Sequence, residues 1–117
     1  MGLGAGHDFG LGRLDDSGGN DSYAASGLGL GAGSAGGIGI FWDHLGRDSY
    51  ATSEESVMGY ARGDTGGRRG ANFLTLGVFL DTGGRDDTYP AGRLPAANNS
   101  VWLPSATEWD KGVGLDQ

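Results

Sequence analysis

The chain has 117 residues, 26 of them Gly, no Cys, and a formal net charge of −7 carried by 12 Asp and only 3 Glu. This composition excludes disulfides, thiolate chemistry and Cys-ligated zinc, and eight scattered Lys and Arg make no electrostatic footprint for nucleic acid. No apolar run approaches the ~20 residues of a membrane-spanning helix, and residues 1–15, interrupted by His7, Asp8, Arg13 and Asp15, form no signal-peptide core.

The length allows one domain at most. Gly loses more backbone freedom on folding than any other residue, so this much of it implies a backbone geometry that needs Gly at fixed places. Three Trp, four Tyr and four Phe argue against simple disorder.

Residues 2–24, "GLGAGHDFGLGRLDDSGGNDSYA", align without gaps on residues 29–51, "GLGAGSAGGIGIFWDHLGRDSYA", at an offset of 27. Gly2 to Gly6 match Gly29 to Gly33, and Asp16, Gly19, Asp21, Ser22 and Tyr23 match Asp43, Gly46, Asp48, Ser49 and Tyr50. In the first unit Arg13 and Asp15 stand where the second has Ile40 and Trp42. A polar first layer suits a terminal cap, or a face covered by a neighbour.

Within the second unit "GLGLGAG" (27–33) and "GIGIFWD" (37–43) alternate with period 2, which predicts strands. Ile38, Ile40 and Trp42 share one face, as do Leu76, Val78 and Leu80 further on. Gly37 and Gly39 line the other, where a second backbone can approach closely. "GAGSAG" (31–36) matches Gly-x-Gly-x-x-Gly, but a β-type run follows it rather than the helix a dinucleotide site needs.

A polar, Gly-rich loop is expected over 51–72, with one short helix over 53–62 capped by Ser53. Arg62-Gly63-Asp64 lies in that loop, and chance accounts for it in a chain so rich in Gly and Asp. A third copy, "TLGVFLDTGGRDDTY" (75–89), follows the second at an offset of 38, with one residue inserted before Tyr89. The last stretch holds Pro90, Pro95 and Pro104, which forbid long central strands, and "SVWL" and "GVGL" are expected as closing edge strands. "GVGLD" (112–116) is a partial fourth copy, and Trp102 and Trp109 are expected to cover the end of the core.

The units are 2–26, 27–57, 72–90 and a partial 100–117. A unit of this size cannot bury its own apolar stripe, but stacked units can. The fold expected is all-β: a short β-solenoid of three to four stacked Gly-rich coils with one long loop, read as part of a longer repeat protein.

The recurring turn is Asp-x-x-Gly-x-Asp-x-Tyr at Asp16–Tyr23 and Asp43–Tyr50, with Asp81, Gly84, Asp86 and Asp87 in the third copy. It resembles the Gly-Gly-x-Gly-x-Asp calcium-binding repeats of secreted bacterial RTX proteins, although the period is 27 or more rather than nine. It is also similar to Gly- and Asp-rich "GxGxG…GGxDxY" repeats of bacterial proteins. The first resemblance implies calcium bound between stacked turns, with Asp21, Asp48 and Asp86 or Asp87 as ligands and Tyr23, Tyr50 and Tyr89 in the core.

Physical chemistry permits that reading, since Ca²⁺ takes six to eight oxygens. Stacking places Asp16, Asp43 and Asp81 in one column and Asp21, Asp48 and Asp86 in another. Like charges at one interstrand spacing repel unless a cation or hydrogen bonds compensate. Asp as an Asx-turn cap is the simpler alternative.

His7 and His44 show no metal or triad spacing, Thr residues do not recur at one position as an ice-binding face needs, and nothing points to catalysis. The expected function is a non-enzymatic structural module of an exported bacterial protein, extracellular or at the cell surface. Its expected partners are neighbouring repeats or a parent assembly, with self-association through the solenoid ends. The alternative is a binding module recognising a surface or carbohydrate through the 51–72 loop and the C-terminal Trp residues.

Overall fold

The computed structural model describes residues 2–53, 57–63, 72–84, 86–91 and 96–117. Among these the chain is all-β. Its strands are β1 (Gly6–His7), β2 (Leu11–Asp16), β3 (Ser22–Ala25), β4 (Gly33–Ser34), β5 (Ile38–Asp43), β6 (Ser49–Thr52), β7 (Ala61–Arg62), β8 (Thr75–Asp81), β9 (Val101–Ala106) and β10 (Asp110–Asp116).

The strands form three sheets, ordered β1-β4-β7, β2-β5-β8-β10-β9 and β3-β6. Every pairing is parallel except β9 with β10. Gly6 lies opposite Gly33, Leu11 opposite Ile38 and Ser22 opposite Ser49, so the first pairing in each of the three sheets keeps the offset of 27. Ile38 then meets Leu76 at 38, and Asp110 meets Thr75.

Two stretches differ from expectation. "GLGLGAG" is mostly turn, because Leu30 and Gly31 both have positive φ (49° and 77°), and only Gly33 enters a strand. Leu3-Gly4 (49°, 79°) and Met58-Gly59 (52°, 81°) repeat that bend, and two consecutive left-handed residues make a turn of the I′ kind. The same positions overturn the short helix, of which residues 54–56 lie outside the described residues. Val57 bridges Gly29, and Ala61 and Arg62 pair with Gly33 and Ser34 as β7. "VMGYAR" is thus the counterpart of "GLGAGS", so Ala51, Thr52 and residues 57–62 belong to strands and turns of the stack rather than to a loop. Asp64 of the Arg-Gly-Asp triplet lies outside the described residues.

The core lies on the Gly-lined face of β5, where the sequence allowed a second backbone to approach. Gly39, Phe41 and Asp43 are buried, while Ile38, Ile40 and Trp42 are half-buried. The physical reason is the Gly row. A Cβ on Gly39 would strike the carbonyl of Ala32, and one on Gly77 the carbonyl of Tyr60, so the β1-β4-β7 layer sits backbone-on-backbone against the large sheet there. Beyond the Gly row, Phe41 stacks on Phe79 with centroids 5.1 Å and planes 3° apart. Tyr50 stacks on Tyr23 and Tyr89 at 5.4 and 5.1 Å, edge-on to the Phe pair. Full burial of each Phe contributes roughly 2–3 kcal/mol.

In β10 the aromatic column is broken by Gly114, which lies opposite Phe79. Trp102 of β9 fills the place: its indole lies where a Cβ on Gly114 would be, it is 2% exposed, and its Nε1 donates to Met58 O (3.2 Å). Trp102 therefore closes the core as expected, whereas Trp109 stays 40% exposed. β9 is an edge strand carrying Pro104, but β10, which holds "GVGL", lies between β8 and β9.

Candidate metal centre

Each of the four parallel strands of the large sheet ends on an aspartate. Register places Asp16, Asp43, Asp81 and Asp116 side by side at the ends of β2, β5, β8 and β10. Tyr hydroxyls thread this column. Tyr23 Oη lies within hydrogen-bond distance of Asp16 (3.0 Å) and Asp43 (2.7 Å), Tyr50 Oη of Asp81 (2.7 Å), and Tyr89 Oη of Asp116 (2.6 Å) and Asp81 (3.2 Å), each with one hydrogen to donate. The other oxygens of Asp16 and Asp43 accept from the backbone N–H of Gly18 and Leu45, two residues on, which is the Asx-turn use of Asp.

A second column runs beside it, and here the carboxylates work between layers. Asp21 N–H donates to Asp48 Oδ1 (2.7 Å), Asp48 N–H to Asp87 Oδ1 (2.6 Å), and Asp87 N–H to Asn98 Oδ1 (2.8 Å). Asn98 ends the column with a neutral side chain. The Gly of Gly-x-Asp keeps room for these carboxylates. A Cβ on Gly46 would lie 2.7 Å from Asp48 Oδ2, and one on Gly84 2.8 Å from Asp87 Oδ2. The motif thus reads as space at Gly, an inter-layer cap at Asp, and a stacked ring at Tyr whose hydroxyl serves the first column.

The expected ligands divide accordingly. Asp21, Asp43 and Asp48 form one cluster and Asp48, Asp81 and Asp87 another, with a carboxylate oxygen from each member within 4.8 Å of the others. Asp16 belongs to neither. Asp86 does not join the second column: it is exposed with φ 62° and absorbs the inserted residue, so Asp87 takes the position matching Asp48. Asp116 escaped the sequence reading, although its place at the end of "GVGLD" was the available signal. Asn98 carried no repeat signal at all.

The Asp48–Asp81–Asp87 cluster has a property that the other lacks. Its members are 2%, 1% and 6% exposed, and each carries one buried oxygen without a hydrogen-bond partner: Asp48 Oδ2, Asp81 Oδ1 and Asp87 Oδ2. Burial raises the Asp48 carboxyl to about 6, helped by the charges of Asp43, Asp87 and Asp21 and opposed by the Asp21 N–H. Burial likewise raises Asp81 to about 7, with Asp87, Asp116 and Asp43 adding repulsion and the Tyr50 hydroxyl opposing. Asp43 is raised too, chiefly by burial.

Such a set of orphaned carboxylate oxygens needs protons or a cation. It offers only hard oxygen donors, so the donor chemistry fits a hard divalent ion rather than zinc or copper. The clusters can hold a metal ion. Comparison of the chain with protein-family models, curated proteins and solved structures returned no match.

Proposed function

We propose that the chain is a non-enzymatic structural module: a short β-solenoid whose Gly-rich coils stack in register and are locked by calcium in their Asp turns. The observation that carries this reading is the trio of partnerless oxygens on Asp48, Asp81 and Asp87, buried between the second and third coils. The three carboxylates would hold the ion, with water or backbone carbonyls completing its shell. An acidic, Cys-free composition supports placing the module in an exported bacterial protein, outside the cell.

Titration of the chain with Ca²⁺ by calorimetry tests the site. One ion per chain is expected, with a Kd of ~0.1–1 mM, as for extracellular calcium modules. Asp87→Asn abolishes binding and Asp86→Asn leaves it intact. Absence of binding, or equal loss in both variants, would contradict the assignment.

A binding module is the second reading. It is favoured by the exposed Val101 (65%), Leu103 (67%) and Trp109 on and beside β9. A β-glucan or cellulose pull-down that fails after Trp109→Ala would support it.

A further inference from the structure

The two ends of the stack are finished differently. At the C-terminal end the sheet edges are covered or blunted among the described residues, and β6 is bridged by Thr88. β9 covers β10 in antiparallel pairing and carries Pro104, which blunts its outer side. The Ser105 hydroxyl accepts from Ala61 N–H (3.0 Å) and donates to Ala61 O (2.6 Å), closing the edge of β7. Asn98 caps Asp87. At the N-terminal end β1, β2 and β3 are the outermost strands of their sheets, and no strand among the described residues pairs with their outer sides.

On β2 the free groups can be assigned. Ile38 N–H bonds Gly10 O and His44 N–H bonds Asp16 O, so the even-numbered residues direct their backbone groups to β5. Alternate residues of a strand point opposite ways, so Leu11, Arg13 and Asp15 direct their N–H and C=O outward. Their side chains are exposed as well, Leu11 at 69%. Arg13 and Asp15 pair with each other, and Asp15 also bonds His44 Nε2 (2.7 Å).

We propose that this end docks a second copy of the chain, head to head, through antiparallel pairing of β2 with β2 about a two-fold axis at Leu14. In that register Arg13 of each copy faces Asp15 of the other, so the outward backbone groups pair and two opposite-charge cross-strand contacts form. A register shifted by two residues, the nearest that keeps the outward backbone groups paired, sets Arg13 against Arg13. The charges that discourage arbitrary strand addition therefore select this one. Head-to-tail pairing is disfavoured, because β9 carries Pro104 and no charged residue to face Arg13 and Asp15. The interface continues the parallel stacking that already joins β2 to β5, with the strand direction reversed.

Sedimentation equilibrium of the intact chain at ~100 µM protein and 50 mM salt tests this, because exposed charge pairs weaken as ionic strength rises. The expected mass is twice the 11.9 kDa of the chain. Arg13→Asp and Asp15→Arg alone each give a monomer, and the double variant Arg13→Asp/Asp15→Arg restores the dimer. Circular dichroism of all four proteins checks that the β signal is retained. A wild-type monomer, dimerisation indifferent to either single reversal, or a double variant that stays monomeric would each overturn the proposal. A monomer that keeps its β spectrum and binds Ca²⁺ leaves the structural reading standing, so the two fail separately.

Discussion

Asp81 is where the residue-level chemistry concentrates. One of its oxygens lies within hydrogen-bond distance of two Tyr hydroxyls and the other of none, at the meeting point of both Asp columns. Its raised pKa, and that of Asp48, fix the sign of a pH effect. An Asp has a pKa near 3.9 when unfolded, and these carboxyls hold their protons up to about 7 and about 6 in the folded chain. Between those limits the folded state binds more protons than the unfolded, so stability falls as pH rises. In chelator, the melting midpoint is expected to decline from pH 4 to 7 by at least ~4 °C, the equivalent of about 1 kcal/mol for a chain of this size. Saturating Ca²⁺ should remove that slope, because the cation replaces the protons. A midpoint that rises over this range in chelator would show that the carboxylates are already compensated.

At the scale of elements, the stack depends on backbone rows as much as on side chains. Gly39→Ala places a methyl against the Ala32 carbonyl, where no flexible side chain can yield. We expect a loss of about 3 kcal/mol, the upper end for overpacking, at a site that cannot relax, read as a large drop in urea midpoint. The exposed Gly2, with open space about it, should tolerate Ala. Trp102→Ala empties the place beside Phe79 and Tyr89, at a cost of ~3–5 kcal/mol. Adding Gly114→Phe, which restores the ring that β5 and β8 carry in that register, should recover part of it.

These elements also mark what was legible in the sequence. The offset of 27, the Gly face and the Tyr column could be read because each is an identity at fixed spacing. The burial of Phe41 and Phe79 on that Gly side could not, because a lone aromatic at the end of a Gly alternation gives no period-2 apolar signal. "VMGYAR" was hidden because Met and Val replaced Leu and Gly in the same turn. The Asp columns were visible, but the choice of Asp87 over Asp86 turned on where one inserted residue bulges.

For the whole molecule, the described chain is 41 Å along its longest axis and about half that across. Stacked parallel passes explain why a chain with so little apolar side-chain mass holds together: each layer supplies hydrogen-bond partners and ring faces to the next. The proposed cost of that order is a column of buried negative charge, which Tyr hydroxyls and N–H groups offset only in part. The central claim is that calcium offsets the rest, and a thermal melt followed by β-sheet circular dichroism at pH 7.5 tests it most directly. With 5 mM CaCl₂ and a Kd of ~0.1 mM, mass action gives ~2 kcal/mol, a midpoint about 5–10 °C above that in EGTA. Asp81→Asn should abolish the difference while melting above the wild type in EGTA, its amide donating to the orphaned oxygens of Asp48 and Asp87. Equal wild-type midpoints in CaCl₂ and EGTA would contradict the account, and leave the Asp columns as hydrogen-bonding caps alone.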